Sequence, residues 1–256
     1  MNATTAIPAT QSVHSPLRSY ALEAWYEWRR LLRTPSYVIP TLLFPALFYV
    51  LFGVLLNKGK GDAAHYLLAT YGVFGAMGAG LFGFGVTVAM EREQGLLTYK
   101  RALPMPPGAY LAAKMVTAVL FASAIFALLA VLAATLGGVS LPAGQWLLLA
   151  VVCALGVLPF CAIGLFIGTL VGGQGAPAVV NMLFLPMAFL SGLWLPLKLL
   201  PAWIAGMAPV WPAYHHAQIA LKVIGMDGGG LLAVHIGVLI GITVLFAALA
   251  RRRLAG

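Results

Sequence analysis

Six long apolar stretches without a single charged residue dominate this sequence. At 1.5 Å of rise per residue, about 20 helical residues cross a hydrocarbon core of about 30 Å. A charge at the centre of a bilayer costs about 3 kcal/mol, which explains why the 15 basic and 6 acidic residues all lie elsewhere. We therefore predict an all-α membrane protein with six transmembrane helices. The stretches are Tyr37–Leu56, Tyr66–Met90, Met115–Gly137, Trp146–Val171, Pro177–Leu195 and Leu231–Ala250.

The composition excludes the common soluble classes. Charged residues make up 8% of the chain and apolar residues 62%, whereas a soluble globular domain carries about 25% charged residues. The formal net charge of +9 would also suit a nucleic-acid-binding protein. In a membrane protein, the simpler explanation of this basic excess is that basic residues are concentrated in the cytoplasmic loops. We therefore expect a lipid membrane as the surroundings of the chain and no nucleic acid as a partner.

The positions of the basic residues predict the orientation. With the N-terminus in the cytoplasm, eleven basic residues lie on the cytoplasmic side and only Lys58, Lys60, Lys198 and Lys222 lie outside. Basic loops stay in the cytoplasm, so both termini are expected there. No cleavable signal peptide is evident. We expect a disordered tail at 1–14, a transmembrane domain at 36–250 and a basic cytoplasmic tail at 251–256. The cytoplasmic set is Arg18, Arg29, Arg30, Arg33, Arg92, Lys100, Arg101, Lys114, Arg251, Arg252 and Arg253.

Residues 15–35 have the pattern of an amphipathic helix. Ser15 can cap its first turn, and Pro16 suits the first helical position. Apolar and aromatic residues recur on one side with arginines around them, which is typical of a helix lying in the membrane interface. A cytosolic helix packed on a partner protein is the alternative. The residues assigned to the interface are Trp25, Trp28, Arg29, Arg30 and Arg33.

Two of the remaining segments carry further structural signals. Acidic residues begin the loop after the second span and basic residues follow, so a short helix from Glu91 to Leu103 would match the helix dipole. We interpret it as a docking element; an ordinary solvated loop is the alternative. The segment Pro196–Gly230 is apolar but broken by prolines. Its first part, 196–217, is predicted to form short helices that re-enter the outer leaflet, with a simple aromatic belt as the alternative.

Signals for chemistry within the chain are weak. Gly78, Gly80 and Gly83 have the spacing of a dinucleotide fingerprint, but they lie inside a span, where small residues at four-residue spacing favour close helix packing. His215 and His216 are adjacent and suit joint metal binding poorly. No nucleophile–base set or intramembrane acid supports an enzyme or an ion-coupled carrier, which remain weaker alternatives. The sequence contains no phosphate-binding loop, so any ATP would be bound by another subunit.

The whole chain resembles the type-2 ABC exporter permeases, especially the bacterial daunorubicin-resistance-like and multidrug-type permeases. The similarity is strongest in EREQGLLTYKRALPMPPGAYLAAK, which begins at Glu91, and in FLSGLWLPLKLLPAWIAGMAPVWPAYH, which begins at Phe189. The resemblance implies a coupling helix at 91–103, a connecting helix at about 17–34 and an outer re-entrant helical pair. It also implies two permease chains, identical or different, and two ABC ATPase subunits that bind ATP and Mg²⁺, in the bacterial inner membrane. This chain would then be a permease subunit without a cofactor of its own.

Two hypotheses concern mechanism. The first assigns the contact with the ATPase to Glu91, Arg92, Glu93, Gly95, Lys100 and Arg101. The second starts from the absence of charge in the spans, which favours a hydrophobic or amphiphilic substrate such as a drug, a lipid or a lipid-linked molecule. Export of a polysaccharide by the same scaffold is the alternative. The residues assigned to a substrate path are Asn181, Ser191 and Trp194.

Overall fold

The computed structural model of the protein describes residues 15–57, 62–102, 106 and 108–255, and every regular element in these ranges is helical. The predicted tail at 1–14 lies outside the described residues. In chain order the helices are α1 (Pro16–Leu32), α2 (Pro35–Leu55), α3 (Asp62–Glu93), α4 (Leu96–Ala102), α5 (Ala109–Thr135), α6 (Ala143–Leu170), α7 (Ala176–Leu190), α8 (Ala202–Met207), α9 (Pro212–Val223) and α10 (Leu232–Ala255).

Five of these helices, α2, α3, α5, α6 and α10, are long and apolar enough to cross a membrane. They correspond to five of the six predicted spans. The fifth predicted span, Pro177–Leu195, coincides with α7, which has only 15 residues. A helix of that length is about 22 Å long, shorter than a typical hydrocarbon core. The sixth crossing is therefore not confirmed and stays a prediction.

Helix α3 lies at the centre of the fold, and its glycines set how closely its neighbours approach. A Cβ atom on Gly72 would lie 2.8 Å from the Sγ atom of Cys153 in α6, and one on Gly80 would lie 2.7 Å from the Cβ atom of Phe160. A Cβ atom on Gly75 would collide with Ile125 in α5. The small residues of α3 therefore serve helix packing, as their spacing predicts.

The closest approach is between α3 and the second half of α6. Residues Leu81–Val86 of α3 form a π-helical segment, and the backbone there lies against Gly164 and Gly168. A Cβ atom on Gly164 would lie 2.9 Å from the carbonyl oxygen of Leu81. Only glycine admits such a contact between two backbones, so these positions fix the distance between the two helices.

The segment after α7 forms short helices on the side of the molecule predicted to face outward. A 3₁₀ turn, Leu197–Leu199, precedes α8, and a second one, Ala208–Val210, precedes α9. Helix α9 is held at both sides: His216 Nε2 lies 3.1 Å from the carbonyl oxygen of Val152 in α6, and His215 Nδ1 lies 2.9 Å from Nδ1 of His235 in α10. These short helices occupy the segment predicted to re-enter the membrane, and the re-entry itself stays a prediction.

The last helix continues into the predicted basic tail at 251–256. Helix α10 continues through Arg251, Arg252 and Arg253 to Ala255, and all three arginine side chains are exposed. Basic side chains in a last helical turn interact favourably with the negative end of the helix dipole. The three arginines therefore lie where positive charge suits the end of the helix.

Candidate functional site

Helix α1 is fixed on α5 at the cytoplasmic side of the predicted topology. The side chain of Ser15 accepts a hydrogen bond from the backbone N–H of Arg18, as expected of an N-cap. The Trp28 ring packs on Phe121 of α5, with ring centroids 5.0 Å apart. Leu31 is buried beside it. These apolar contacts hold α1 in a defined register against the bundle.

Four charged side chains from three helices meet beneath α1, and we call them the buried ion cluster: Glu27, Arg30, Glu91 and Lys114. Glu27 Oε1 lies 2.7 Å from Arg30 Nη2 and 2.8 Å from Lys114 Nζ. Glu91 Oε1 lies 3.1 Å from Lys114 Nζ and also pairs with Arg30. The cluster contains two positive and two negative charges, so its formal charges balance.

Hydrogen bonds from neutral groups complete the cluster. The hydroxyl of Tyr110 donates to Glu91 Oε2, and Lys114 Nζ donates to the hydroxyl of Thr87 at 2.9 Å. The ammonium of Lys114 thus has three acceptors for its three N–H groups. Removing an ion from water costs several kcal/mol, so buried charges persist only when they are paired and hydrogen-bonded. The full set of partners explains how Lys114 remains only 3% exposed.

Arg30 is the exposed member of the cluster, with 41% of its side chain accessible to solvent. Partial desolvation acts to lower its pKa, but the charges of Glu27 and Glu91 and their hydrogen bonds outweigh this effect and raise the pKa above its usual value. The guanidinium therefore stays charged and keeps α1 linked to the end of α3.

A second ion pair connects α4 to α1. Lys100 Nζ pairs with Glu23, and it also lies 4.8 Å from the centroid of the Tyr110 ring, a cation–π distance. Both members of the ion pair are partly buried. Tyr110 therefore contacts α4 through its ring and α3 through its hydroxyl.

Arg92 and Glu93 bind the turn between α6 and α7, and we call this contact the loop clamp. The Arg92 guanidinium donates to the carbonyl oxygens of Thr169 and Val171, the latter at 3.0 Å. The Glu93 carboxylate accepts a hydrogen bond from the backbone N–H of Gly173. In the predicted topology this clamp joins the first cytoplasmic loop to the second.

The helix predicted from Glu91 to Leu103 is corrected to two helices with a break between them. Helix α3 runs through Glu93, Gly95 has φ +72°, and α4 begins at Leu96. A left-handed glycine just after the last helical turn is the common helix terminator, because a side chain would be strained there. Leu103 and the side chain of Arg101 lie outside the described residues.

The break sorts the predicted docking residues into two groups. Glu91 is 4% exposed and faces the buried ion cluster, so it does not present its charge to an external partner. Arg92, Glu93 and Gly95 are exposed, and Lys100 is half-buried. The outward surface also includes Gln94, Thr98 and Tyr99, which the sequence analysis did not single out.

The five residues predicted for the membrane interface occupy different sides of α1. Trp25 is 54% exposed, and the Arg29 guanidinium lies 5.8 Å from its ring centroid. Arg33 is exposed as well. Trp28 packs on α5, and Arg30, although exposed, reaches Glu91 of the buried ion cluster with its guanidinium. One side of α1 thus packs on protein, and the other remains free to contact lipid.

The residues predicted for a substrate path do not converge. Asn181 is exposed near the start of α7 and donates to the carbonyl oxygen of Pro177. Ser191 and Trp194 lie after the other end of α7, about 15 Å away along the helix. The Ser191 hydroxyl and the Trp194 indole N–H are both buried without a hydrogen-bond partner in the described part of the chain. Of the three residues, only Ser191 and Trp194 lie near each other in the chain, and they are the remaining candidates for a polar contact with a substrate.

The structure places a row of aromatic side chains beside Trp194, and the sequence pattern did not predict it. Phe44, Phe48 and Phe52 follow one another at four-residue spacing along α2, and adjacent ring centroids lie 6.1 and 5.9 Å apart. Trp194 stacks on Phe48 at 5.7 Å and contacts Phe74 of α3. The spacing of the three phenylalanines is visible in the sequence, but their contact with Trp194 needs the fold.

No three His, Cys, Asp or Glu side chains within the described ranges are placed to hold a metal ion. The buried ion cluster and the loop clamp instead connect the ends of several helices on one side of the bundle.

Comparison with known proteins gives two results. The profile of the family described as "ABC-2 type transporter" matches residues 19–224. A Bacillus subtilis protein, "Putative transport permease YvfS", is 28% identical over 229 residues, which cover 88% of this chain and 92% of that protein.

Proposed function

Because the chain belongs to the ABC-2 type transporter family, we propose that it is the permease subunit of an ATP-driven exporter whose ATPase is a separate subunit. The chain is a multi-pass transmembrane subunit of an ABC transporter, and partnership with an ABC ATPase follows from the family. The direction of transport, the substrate and the assembly are the proposed parts.

The observation that carries the proposal is the linkage of α4 to three other helices. Lys100 joins α4 to α1, while Tyr110 of α5 contacts both Lys100 and Glu91. The buried ion cluster then joins α1, α3 and α5. A displacement of α4 by a partner would therefore move these helix ends together. Such a rigid connection is what a subunit needs if ATP hydrolysis outside the membrane is to move its spans.

The proposed assembly contains two permease chains, identical or different, and two ATPase subunits that hold ATP and Mg²⁺. The exposed surface of α4 and the preceding turn, with Gln94, Thr98 and Tyr99, would contact the ATPase. The proposed location is the bacterial inner membrane with both termini in the cytoplasm. The excess of basic residues on that side supports this orientation.

The proposed substrate is a hydrophobic or amphiphilic molecule. The apolar, charge-free stretches within the five long helices support it, and Ser191 and Trp194 offer two unpaired polar groups near one end of a path. Export of a polysaccharide is the second candidate. The aromatic row on α2 favours it, since flat ring faces can stack against a sugar. Transport assays with a labelled amphiphile and a labelled oligosaccharide would separate the two.

The test compares two tyrosines of equal exposure. Tyr99 on α4 and Tyr26 on α1 are both 63% exposed. In liposomes containing the permease and its ATPase subunit, Tyr99→Ala should lower substrate-stimulated ATP hydrolysis at least several-fold, whereas Tyr26→Ala should leave it near the wild-type rate. Both variants should insert normally. Equal effects of the two substitutions, or uphill transport by the permease alone, would contradict the proposal.

A further inference from the structure

A groove opens among the helix ends beside α4. It has a volume of about 710 Å³ and is bounded by α3, α4, α5, α6 and α10. Its wall is mostly apolar and includes Phe84, Met115, Leu158 and Leu165, while Lys100 and Arg251 stand at its mouth. It is separate from Ser191, Trp194 and the aromatic row on α2.

The depth of the groove corresponds to one leaflet of a bilayer. On α10 its wall runs from Thr243 to Leu254, a rise of about 16.5 Å in a helix. Half of a 30 Å hydrocarbon core is about 15 Å. The groove thus extends from the cytoplasmic surface of the predicted topology to near the middle of the membrane. This shape suits a molecule anchored in that leaflet better than one that crosses the membrane.

The positive charge at the mouth of the groove favours a molecule with an anionic head group. None of the described lining residues is acidic. Lys100 is paired with Glu23, but no carboxylate among the described residues lies within ion-pair distance of Arg251. Basic residues at the cytoplasmic membrane surface attract anionic lipid head groups.

We propose that the groove binds an anionic phospholipid of the cytoplasmic leaflet. One acyl chain lies against Leu158, Leu165 and Met115, and the phosphate group lies at Arg251. Because Leu97 and Lys100 of α4 also line the groove, the bound lipid holds α4 against α5 and α10. This site is independent of the proposed transport function, since it requires only the described helices and a membrane.

Two matched pairs of variants test the site. Ala247 lines the groove, whereas its neighbour Ala248 is also exposed but does not line it. Ala247→Trp fills the groove, and Ala248→Trp is the control. Arg251→Gln removes the charge at the mouth, and Arg253→Gln removes a charge of the same helical turn outside the lining. All four are made in the full chain. Size-exclusion chromatography in detergent confirms that each folds.

Native mass spectrometry of the purified protein measures binding of phosphatidylglycerol, phosphatidylcholine and inorganic phosphate. We expect phosphatidylglycerol to bind more tightly than phosphatidylcholine, and inorganic phosphate alone not to be retained because it cannot use the apolar wall. Ala247→Trp should abolish the bound lipid. Arg251→Gln should weaken phosphatidylglycerol about fivefold, the usual effect of one basic residue at a membrane surface. Ala248→Trp and Arg253→Gln should bind as the wild type does.

Three results would overturn the proposal. Equal affinity for the two lipids would exclude a role for the charge at the mouth. Unchanged binding in a folded Ala247→Trp variant would place the lipid elsewhere on the protein. Binding of inorganic phosphate as tight as that of phosphatidylglycerol would assign the site to a free anion. If Ala247→Trp does not fold, lipid selectivity and the Arg251→Gln comparison still decide the question.

Discussion

Lys114 and Glu27 form an ion pair in which Nζ and Oε1 lie 2.8 Å apart and both side chains are almost completely buried. They are 87 positions apart in the sequence, one at the start of a membrane-spanning helix and the other on the helix that packs across it. Their pairing shows that α1 is bound to the bundle by charge as well as by the apolar contact of Trp28. The same pair gives the first prediction.

Substitution of Lys114 by Met should destabilise the protein strongly. It leaves Arg30 as the single cation beside two buried carboxylates, and removing one partner of a buried ion pair costs about 3–5 kcal/mol. The double variant Lys114→Met with Glu91→Gln removes one charge of each sign. It should lose less stability than the sum of the two single variants, because the Glu27–Arg30 pair remains. Thermal unfolding in detergent measures the effect.

Lys222 supplies the control for this experiment. It forms an ion pair with Asp227, but both side chains are partly exposed. Lys222→Met should therefore cost less than about 1 kcal/mol. A loss in Lys114→Met no larger than that in Lys222→Met would show that the buried ion cluster contributes little to the fold.

A methyl group added at Gly164 should separate α3 from α6. The new Cβ atom would lie 2.9 Å from one carbonyl oxygen and 3.0 Å from a second, both in the backbone of α3. Backbone cannot move aside as a side chain can, so Gly164→Ala should cost about 1–3 kcal/mol. Gly241 of α10 has open space around its Cβ position, and Gly241→Ala is the matched control. Similar unfolding temperatures for the two variants would argue against this backbone contact.

Much of the fold could be predicted from the sequence because the membrane imposes a simple rule. Charges are excluded from the hydrocarbon core and basic residues collect on one side, so apolar length alone located the helices α2, α3, α5, α6 and α10. The same rule was less informative for α7. The apolar run Pro177–Leu195 does not reveal that the helix stops at Leu190 and that the chain turns at Gly192.

The buried ion cluster could not be predicted for a different reason. Glu91 and Lys114 each lie one residue outside a predicted span, where a charge is normally solvated, and Glu27 lies in a segment expected at the membrane interface. Their burial depends on pairing between residues distant in sequence, which no local pattern encodes. Gly95 was a local signal of the helix break before α4, but the sequence analysis assigned it to the docking surface instead.

Acid should weaken the attachment of α9. Burial lowers the pKa of His216 to about 4, although its hydrogen bond to Val152 acts in the opposite direction. Burial and the neighbouring His235 also lower the pKa of His215. In the unfolded chain a histidine titrates near 6.5. Between pH 6.5 and 4 the unfolded chain thus binds a proton that the folded one does not, and the stability falls as the pH falls, for His216 by at most about 1.4 kcal/mol per pH unit.

The unfolding temperature measured from pH 8 to pH 4 checks this expectation. It should be constant above pH 7 and should decline below pH 6.5. A His216→Gln variant can keep a donor for the Val152 carbonyl but cannot take up a proton, so its decline should be shallower than that of the wild type. Parallel curves for the two proteins would assign the acid sensitivity to other groups.

The loop clamp gives the last prediction, which concerns coupling more than stability. Arg92 and Glu93 are exposed, yet they bind the backbone of the turn between α6 and α7 at Thr169, Val171 and Gly173. If α4 transmits movement, this clamp passes it on to the second half of the bundle. Arg92→Met should then reduce transport per ATP hydrolysed while the protein still inserts and binds its ATPase subunit. Arg29→Met is the control, because Arg29 is an exposed arginine that contacts the Trp25 ring on its own helix. Reconstituted liposomes in which both variants transport as efficiently as the wild type would show that the clamp plays no part in coupling.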